Sequence, residues 1–291
     1  AHVQLSAFAS SPAFLPRCKA VLDASSNQYA LAVAGSCLTD LVRNHWNSFA
    51  VEQRVDIRDY VLNYLAEGGP DLAQFVVSAL IKLFCVITKL GWFDSPRHRE
   101  IVKDAAQFLR ASGVHCVLGL RIMLVFVEEV NTPTTGHTIA LHRKTAVSVR
   151  DIALVELFRT ALTTLSSQQA GRLPEMDGEV ADAVTLHALR VCAAALSFDF
   201  IGTNPDASAE DAGAVQVPTT WRTMIQDPDT LSLMFNCYGA TAPPQSSEAL
   251  RCLVLLASVR RSLFTKDSER ARYLGAIMRG ICGVLRHLTG M

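Results

Sequence analysis

Apolar residues recur at helical spacing along almost the whole chain, and strand-like alternation is nearly absent. Val3–Ala9 reads as the end of a helix, and Pro12 opens a short one running through Asp23. Asn27 is a capping residue for a helix to about Trp46, whose stripe is Leu31, Ala34, Leu38, Leu41 and Val42. The next runs from Val51 to Glu67 and is stopped by Gly68, Gly69 and Pro70. Asp71 is expected to cap a strongly apolar helix through Leu90, ended by Gly91. Pro96 to Ala111 and Val114 to Val130 follow, then a loop with Pro133 and Gly136. His142 to Gln169 is one long or broken helix, with a break near Arg150-Asp151. Glu179–Phe198, Asp229–Tyr238, Ser247–Phe264 and Asp267–Leu288 complete the set, with a long loop over 199–220.

The helices come in pairs with a period near 40 to 47 residues in the first half, the spacing of HEAT or armadillo units. Such a pair cannot bury its apolar face alone and must stack on its neighbours. The fold expected is therefore all-α, a HEAT/armadillo-like solenoid of antiparallel helix pairs wound as a right-handed superhelix. Its expected divisions are 1–46 (the remnant of a first pair plus a second repeat), 49–90, 96–130 and 142–198, the loop 199–220, then 221–264 and an unpaired last helix at 267–291. Both ends read as cut, since the chain starts inside a helix and its last helix has no following partner.

Composition agrees with a packed helical protein. Half of the residues are hydrophobic and 19% are charged, which excludes a disordered chain. The net charge is zero, so no bulk field draws the chain to nucleic acid or to a membrane. The charges are unevenly placed: residues 175–229 hold ten acids against two bases, and residues 248–291 hold eight bases against three acids. The most membrane-like run, Leu72 to Gly91, is interrupted by Gln74, Lys82 and Lys89, and Val117–Val127 is too short to span and carries Arg121. No membrane insertion is expected. Eight cysteines lie far apart with no CxxC pair, so no metal site is expected and the thiols read as small buried hydrophobes. Thiols of that kind, and the absence of an Asn-x-Ser/Thr sequon, fit a reducing cytosolic or nuclear compartment.

No catalytic motif stands out: there is no Walker loop, GxGxxG, GxSxG or HExxH. His115 and Cys116 are neighbours in a helix and point about 100° apart, too divergent for a base and its nucleophile. Glu128-Glu129 fails as a carboxylate dyad for the same reason, and His137 and His142 are poorly spaced for a metal. The expectation is a binding protein without catalysis, metal or cofactor.

Several segments are more specific. They are Asp56-Ile57-Arg58-Asp59-Tyr60-Val61-Leu62-Asn63-Tyr64-Leu65, Ile87-Thr88-Lys89-Leu90-Gly91-Trp92-Phe93-Asp94, His142-Arg143-Lys144 and Phe198-Asp199-Phe200-Ile201-Gly202-Thr203. Val215-Gln216-Val217-Pro218-Thr219-Thr220-Trp221-Arg222 and Ala257-Ser258-Val259-Arg260-Arg261-Ser262-Leu263-Phe264 complete them. In order and spacing they resemble the N-terminal third of a Ran-dependent exportin of the importin-β (karyopherin) superfamily, with that family's opening helices missing ahead of Ala1. The resemblance implies HEAT repeats, binding of Ran GTPase in its GTP form, protein cargo, contact with FG-repeat nucleoporins, and shuttling between nucleus and cytoplasm. With the first repeat missing, weak Ran binding is expected of the piece alone. The 199–220 loop carries fewer acids than that family's usual one. A non-transport HEAT scaffold or regulatory subunit is the alternative, and it should lack these segments.

In such receptors the second helix of each early repeat meets Ran; here those are about 27–46, 71–90 and 114–130. Polar and aromatic residues at or near their ends, Arg43, Asn44, Trp46, Lys82, Lys89 and Trp92, are candidate partner contacts, since Arg and Trp carry much binding energy when desolvated. Equally, the tryptophans could pack across corners between repeats and the lysines could be solvated. Asp206, Glu210 and Asp211 in the long loop are candidates for a basic partner surface, with Phe198, Phe200 and Trp221 as anchors. His142-Arg143-Lys144 and Arg260-Arg261 are either grips for an acidic partner or helix-end charges.

Overall fold

The computed structural model of the protein describes residues 11–134, 138–199 and 215–289. Among them the chain is helical throughout, with one isolated parallel bridge, Val215 to Val259. It divides into two compact units, Ala1–His137 and Thr138–Met291.

Unit 1 is built of helix hairpins. A turn at Pro12–Phe14, held by Ser11, leads into α1 (Leu15–Ala24). α2 (Gln28–His45) starts at Asn27, whose Oδ1 accepts from the Tyr29 and Ala30 amides at 2.9 and 3.2 Å. α3 (Val51–Gly68) starts with the Ala50 amide donating to Gln53 Oε1 at 3.0 Å. α4 (Gln74–Leu90) is not capped by Asp71. Pro70 closes a 3-10 turn over Gly69–Asp71, and the helix starts after Ala73, whose amide donates to Gln28 Oε1 of α2 at 3.0 Å. A turn at Pro96–Glu100 precedes α5 (Ile101–Ala111), and Ser112 caps α6 (Gly113–Asn131).

Each hairpin pairs a first helix (α1, α3, α5) with a second (α2, α4, α6), and the second helices pack side by side, α2 on α4 and α4 on α6. The middle one, α4, is covered from several sides and buries Val76, Val77, Leu80, Ile81, Leu83, Phe84, Cys85, Val86 and Ile87. Each such aliphatic or aromatic side chain contributes roughly 1.5–3 kcal/mol. The apolar run that reads as membrane-like is this core helix; among the described residues no helix is long and apolar enough to cross a membrane.

Unit 2 begins with α7 (Ile139–Val149), a π-helical stretch over Arg150–Leu154 where the sequence shows a break, and α8 (Val155–Gln169). α9 (Gly178–Leu196), the short α10 (Arg222–Ile225), α11 (Pro228–Ala240), α12 (Gln245–Ala257) and α13 (Asp267–Thr289) follow. α8 packs on α9, α9 on α12, α11 on α12, and α13 on α11. The helix expected over Ser247–Phe264 ends at Ala257, because the chain beyond it is held by a distant segment. Val215 donates to the Ser258 carbonyl at 2.9 Å and accepts from the Arg260 amide at 3.1 Å.

Candidate partner-binding surface

Side chains from all three second helices of unit 1 converge on one carboxylate. Glu129, in the last turn of α6, is buried. Lys82 of α4 forms an ion pair with its Oε2, Arg43 of α2 lies 3.5 Å from its Oε1, and the Lys89 ammonium is 3.8 Å from that same oxygen. A carboxylate in an apolar helix is costly unless paired, and here it gathers cations from the adjacent α4 and from α2 beyond it.

The cations differ in exposure. Arg43 and Lys82 reach the surface with 36% and 45% of their side chains exposed. The Arg43 Nε is buried and finds no acceptor. Asn44 is exposed beside Arg43. Lys89 is different: its ammonium donates to the Glu129 carbonyl at 2.7 Å and to the Thr132 carbonyl at 2.6 Å, closing the C-terminal end of α6. Burial pulls its pKa down to about 8, helped by the Lys82 and Arg43 charges and opposed by Glu129. Farther along the same face, Arg121 of α6 donates to Gln74 Oε1 at 2.5 Å and to Ser78 Oγ at 2.8 Å on α4. Tyr29 and Phe75, at the starts of α2 and α4, stack in the open with ring centroids 5.3 Å apart.

Of the residues expected as surface contacts, Trp46, Trp92 and Lys89 therefore lie in the interior. Trp46 is buried, donates from Nε1 to Asp94 at 3.0 Å, and carries the Arg54 guanidinium 4.8 Å from its ring centre. Trp92 is fully buried against Phe126, with centroids 5.8 Å apart. Arg43, Asn44 and Lys82 remain on the surface. Asp206, Glu210, Asp211 and Phe200 lie outside the described residues.

The distinctive segments of unit 1 prove to be inter-repeat fasteners. Arg58 of α3 is fully buried, ion-paired to Asp104 of α5 and held 4.8 Å from the Phe84 ring centre. Arg97 ties Asp59, Glu100 and Asp104 together at 2.8–3.1 Å. Gly91 leaves room for His98; a Cβ there would overlap the imidazole. His98 is buried with neither ring nitrogen hydrogen-bonded. Burial, with Arg58 nearby, lowers its pKa to about 4.

In unit 2 the segments around Trp221 and Arg261 hold each other. The Arg222 Nε donates to the Leu263 carbonyl at 2.6 Å, Trp221 is buried in a stack on Phe158 at 5.2 Å, and Phe198 is buried as well. Arg261 pairs with Asp267 at 2.5 Å. His115 lies within hydrogen-bond reach of Ser112 Oγ (2.7 Å) and the Ala66 carbonyl (2.9 Å), so its ring serves a turn and a helix end. Among the described residues no group of three or more His, Cys, Asp or Glu is placed to hold a metal ion.

Stacked hairpins whose second helices line up a mixed polar face define an all-α, HEAT-type protein. Residues 1–67 match the family model for the Importin-beta N-terminal domain. Over 284 residues the chain is 40% identical to Exportin-7-A of Xenopus laevis, covering 96% of this chain and 26% of the relative. It is 40% identical to Ran-binding protein 17 of Homo sapiens over 285 residues, 97% of this chain and 26% of the relative. With Ran-binding protein 16 of Drosophila melanogaster the identity is 37% over 300 residues, 100% of this chain and 27% of that one. The chain is thus a homologue of the exportin-7 proteins over their N-terminal portion, with an importin-beta N-terminal domain at residues 1–67. It spans about a quarter of the length of the curated relatives it matches.

Proposed function

We propose that the chain serves a nuclear export receptor and that the second-helix face of unit 1 is where it holds Ran in the GTP form. The observation that carries this reading is the surface placement of Arg43 and Asn44 in the last turn of α2 and of Lys82 midway along α4, in a chain 40% identical to a Ran-binding protein. Arg43 and Lys82 are both held by the buried Glu129 with their side chains partly exposed, so both charges are kept in place for an acidic group of a partner. Protein cargo and FG-repeat nucleoporins are the further partners of this reading, and shuttling between nucleus and cytoplasm is its setting. The role is binding, without catalysis or cofactor.

The test is retention of Ran on immobilised chain. The GTP-loaded form is expected to be held over the GDP-loaded form, with affinity lowered by Arg43→Ala and Lys82→Ala together. Equal retention of both forms, or none of either, overturns the proposal.

A further inference from the structure

Arg43 and Glu129 belong to α2 and α6, which are separated by α4. Helices that pack side by side keep their axes about 8–10 Å apart. Two helices that flank a third are separated by roughly twice that where the stack is straight, more than an arginine and a glutamate easily bridge. Yet the guanidinium is 3.5 Å from the carboxylate, which also receives Lys82 from the helix between. The C-terminal ends of α2 and α6 are therefore drawn toward each other at Glu129, across the middle of α4. The Lys89 ammonium fixes that end of α6 through its carbonyls, so the carboxylate is held from behind while Arg43 and Lys82 hold it from the surface side.

We propose that Glu129 is a strap that ties the first hairpin of unit 1 directly to the third and sets their curvature, and that an acidic group of a partner arriving at Arg43 and Lys82 loosens it. Partner binding and curvature are then one equilibrium: whatever takes Arg43 from Glu129 lets the ends of α2 and α6 part. The coupling rests on the partner surface proposed above; the strap itself does not. Glu129 acts here as a positioning residue, since it presents the two surface cations in place of meeting the partner.

The experiment is hydrogen exchange on the whole chain in a double-mutant cycle of Arg43→Gln and Glu129→Gln. Arg43→Gln alters only α2, yet it is expected to speed exchange in the last turn of α6, residues 127–131, at least about fivefold. In the Glu129→Gln background the same Arg43→Gln change is expected to add nothing there. An α6 effect below twofold overturns the strap, and so does an equal effect in both backgrounds. Arg43→Gln is a surface change, so the cycle stands even if Glu129→Gln alone lowers stability. For the coupling, adding GTP-loaded Ran to wild type is expected to speed exchange at the last turn of α6, and in Arg43→Gln that response is lost. Slower exchange there in wild type overturns the coupling. Absence of any Ran binding overturns the partner reading and the coupling, and the exchange cycle on the free chain still decides the strap.

Discussion

Arg58 and Asp104 make a fully buried ion pair between α3 and α5, and the two halves of that pair should not be equally expensive to remove. Asp104→Ala leaves a guanidinium in the interior with Asp59, 2.8 Å away and one-third exposed, as its remaining acid. It also strips Arg97 of its 2.8 Å contact. Removing one partner of a buried pair costs about 3–5 kcal/mol, and the residual Asp59 contact places this case near 3. Arg58→Met removes the buried charge, keeps a long flexible side chain against Phe84, and leaves Asp104 bonded to Arg97. Apolar replacement of similar volume is often nearly neutral, so a cost within about 1 kcal/mol is expected. The gap of about 2 kcal/mol is roughly thirtyfold in the unfolding constant. Urea unfolding in a Trp221→Phe background reads it through Trp46 and Trp92, which both lie in unit 1 and are buried. A change in midpoint at constant slope gives the difference. Equal losses for the two variants, or a larger loss for Arg58→Met, would refute the reasoning.

Gly91→Ala forces a methyl into the His98 ring and should destabilise unit 1 by about 1–3 kcal/mol in the same urea assay, with relief when His98→Ala is added. His98 itself makes unit 1 acid-sensitive. Its pKa is lowered to about 4 by burial, so its contribution is complete above the ordinary value of 6.5 and is lost as pH falls through 4. Between pH 7 and 4 the wild type should lose about 3 kcal/mol that His98→Gln does not lose, measured as midpoint against pH. At alkaline pH the thiols act in the opposite sense. Burial raises Cys18 and Cys116 from 9 to about 11, so the stability they give is present below pH 9 and lost as pH rises through 11. Lys89, lowered to about 8, gives stability above 10.5 that is lost as pH falls through 8. Cys116→Ala should therefore flatten the alkaline decline and Lys89→Met should steepen it.

The helices were legible because burial on one side imposes a 3.6-residue period, and the Asn27 cap because its side chain acts on its own neighbours. Structure departs from local pattern where distant residues decide. Asp71 reads as a cap, but Pro70 closes a turn and Gln28 of another helix takes the role of satisfying the Ala73 amide. Ser247–Phe264 reads as one helix, but Val215 claims the backbone at Ser258 and Arg260. At the candidate surface, residue type pointed to Arg43, Asn44 and Lys82, while Trp46, Trp92 and Lys89 share the same types and lie inside. In the sequence Glu129 stands out only as half of the Glu128-Glu129 pair, which fails as a dyad. A usable signal was present: two lysines in the apolar run of α4 and an acid in the apolar run of α6 each require a buried counter-charge, and each is the other's. Likewise Arg58 and Trp92, within the segments that carry the resemblance, are fasteners between repeats, a role that only the stacked helices disclose.

The most direct test of the central claim is a hydrogen-exchange footprint of the whole chain with and without GTP-loaded Ran. Protection is expected on the second helices of unit 1, at residues 36–46 of α2 and 74–82 of α4, with GDP-loaded Ran leaving them unchanged. Protection confined to the first helices α1, α3 and α5, or to unit 2, would contradict the account.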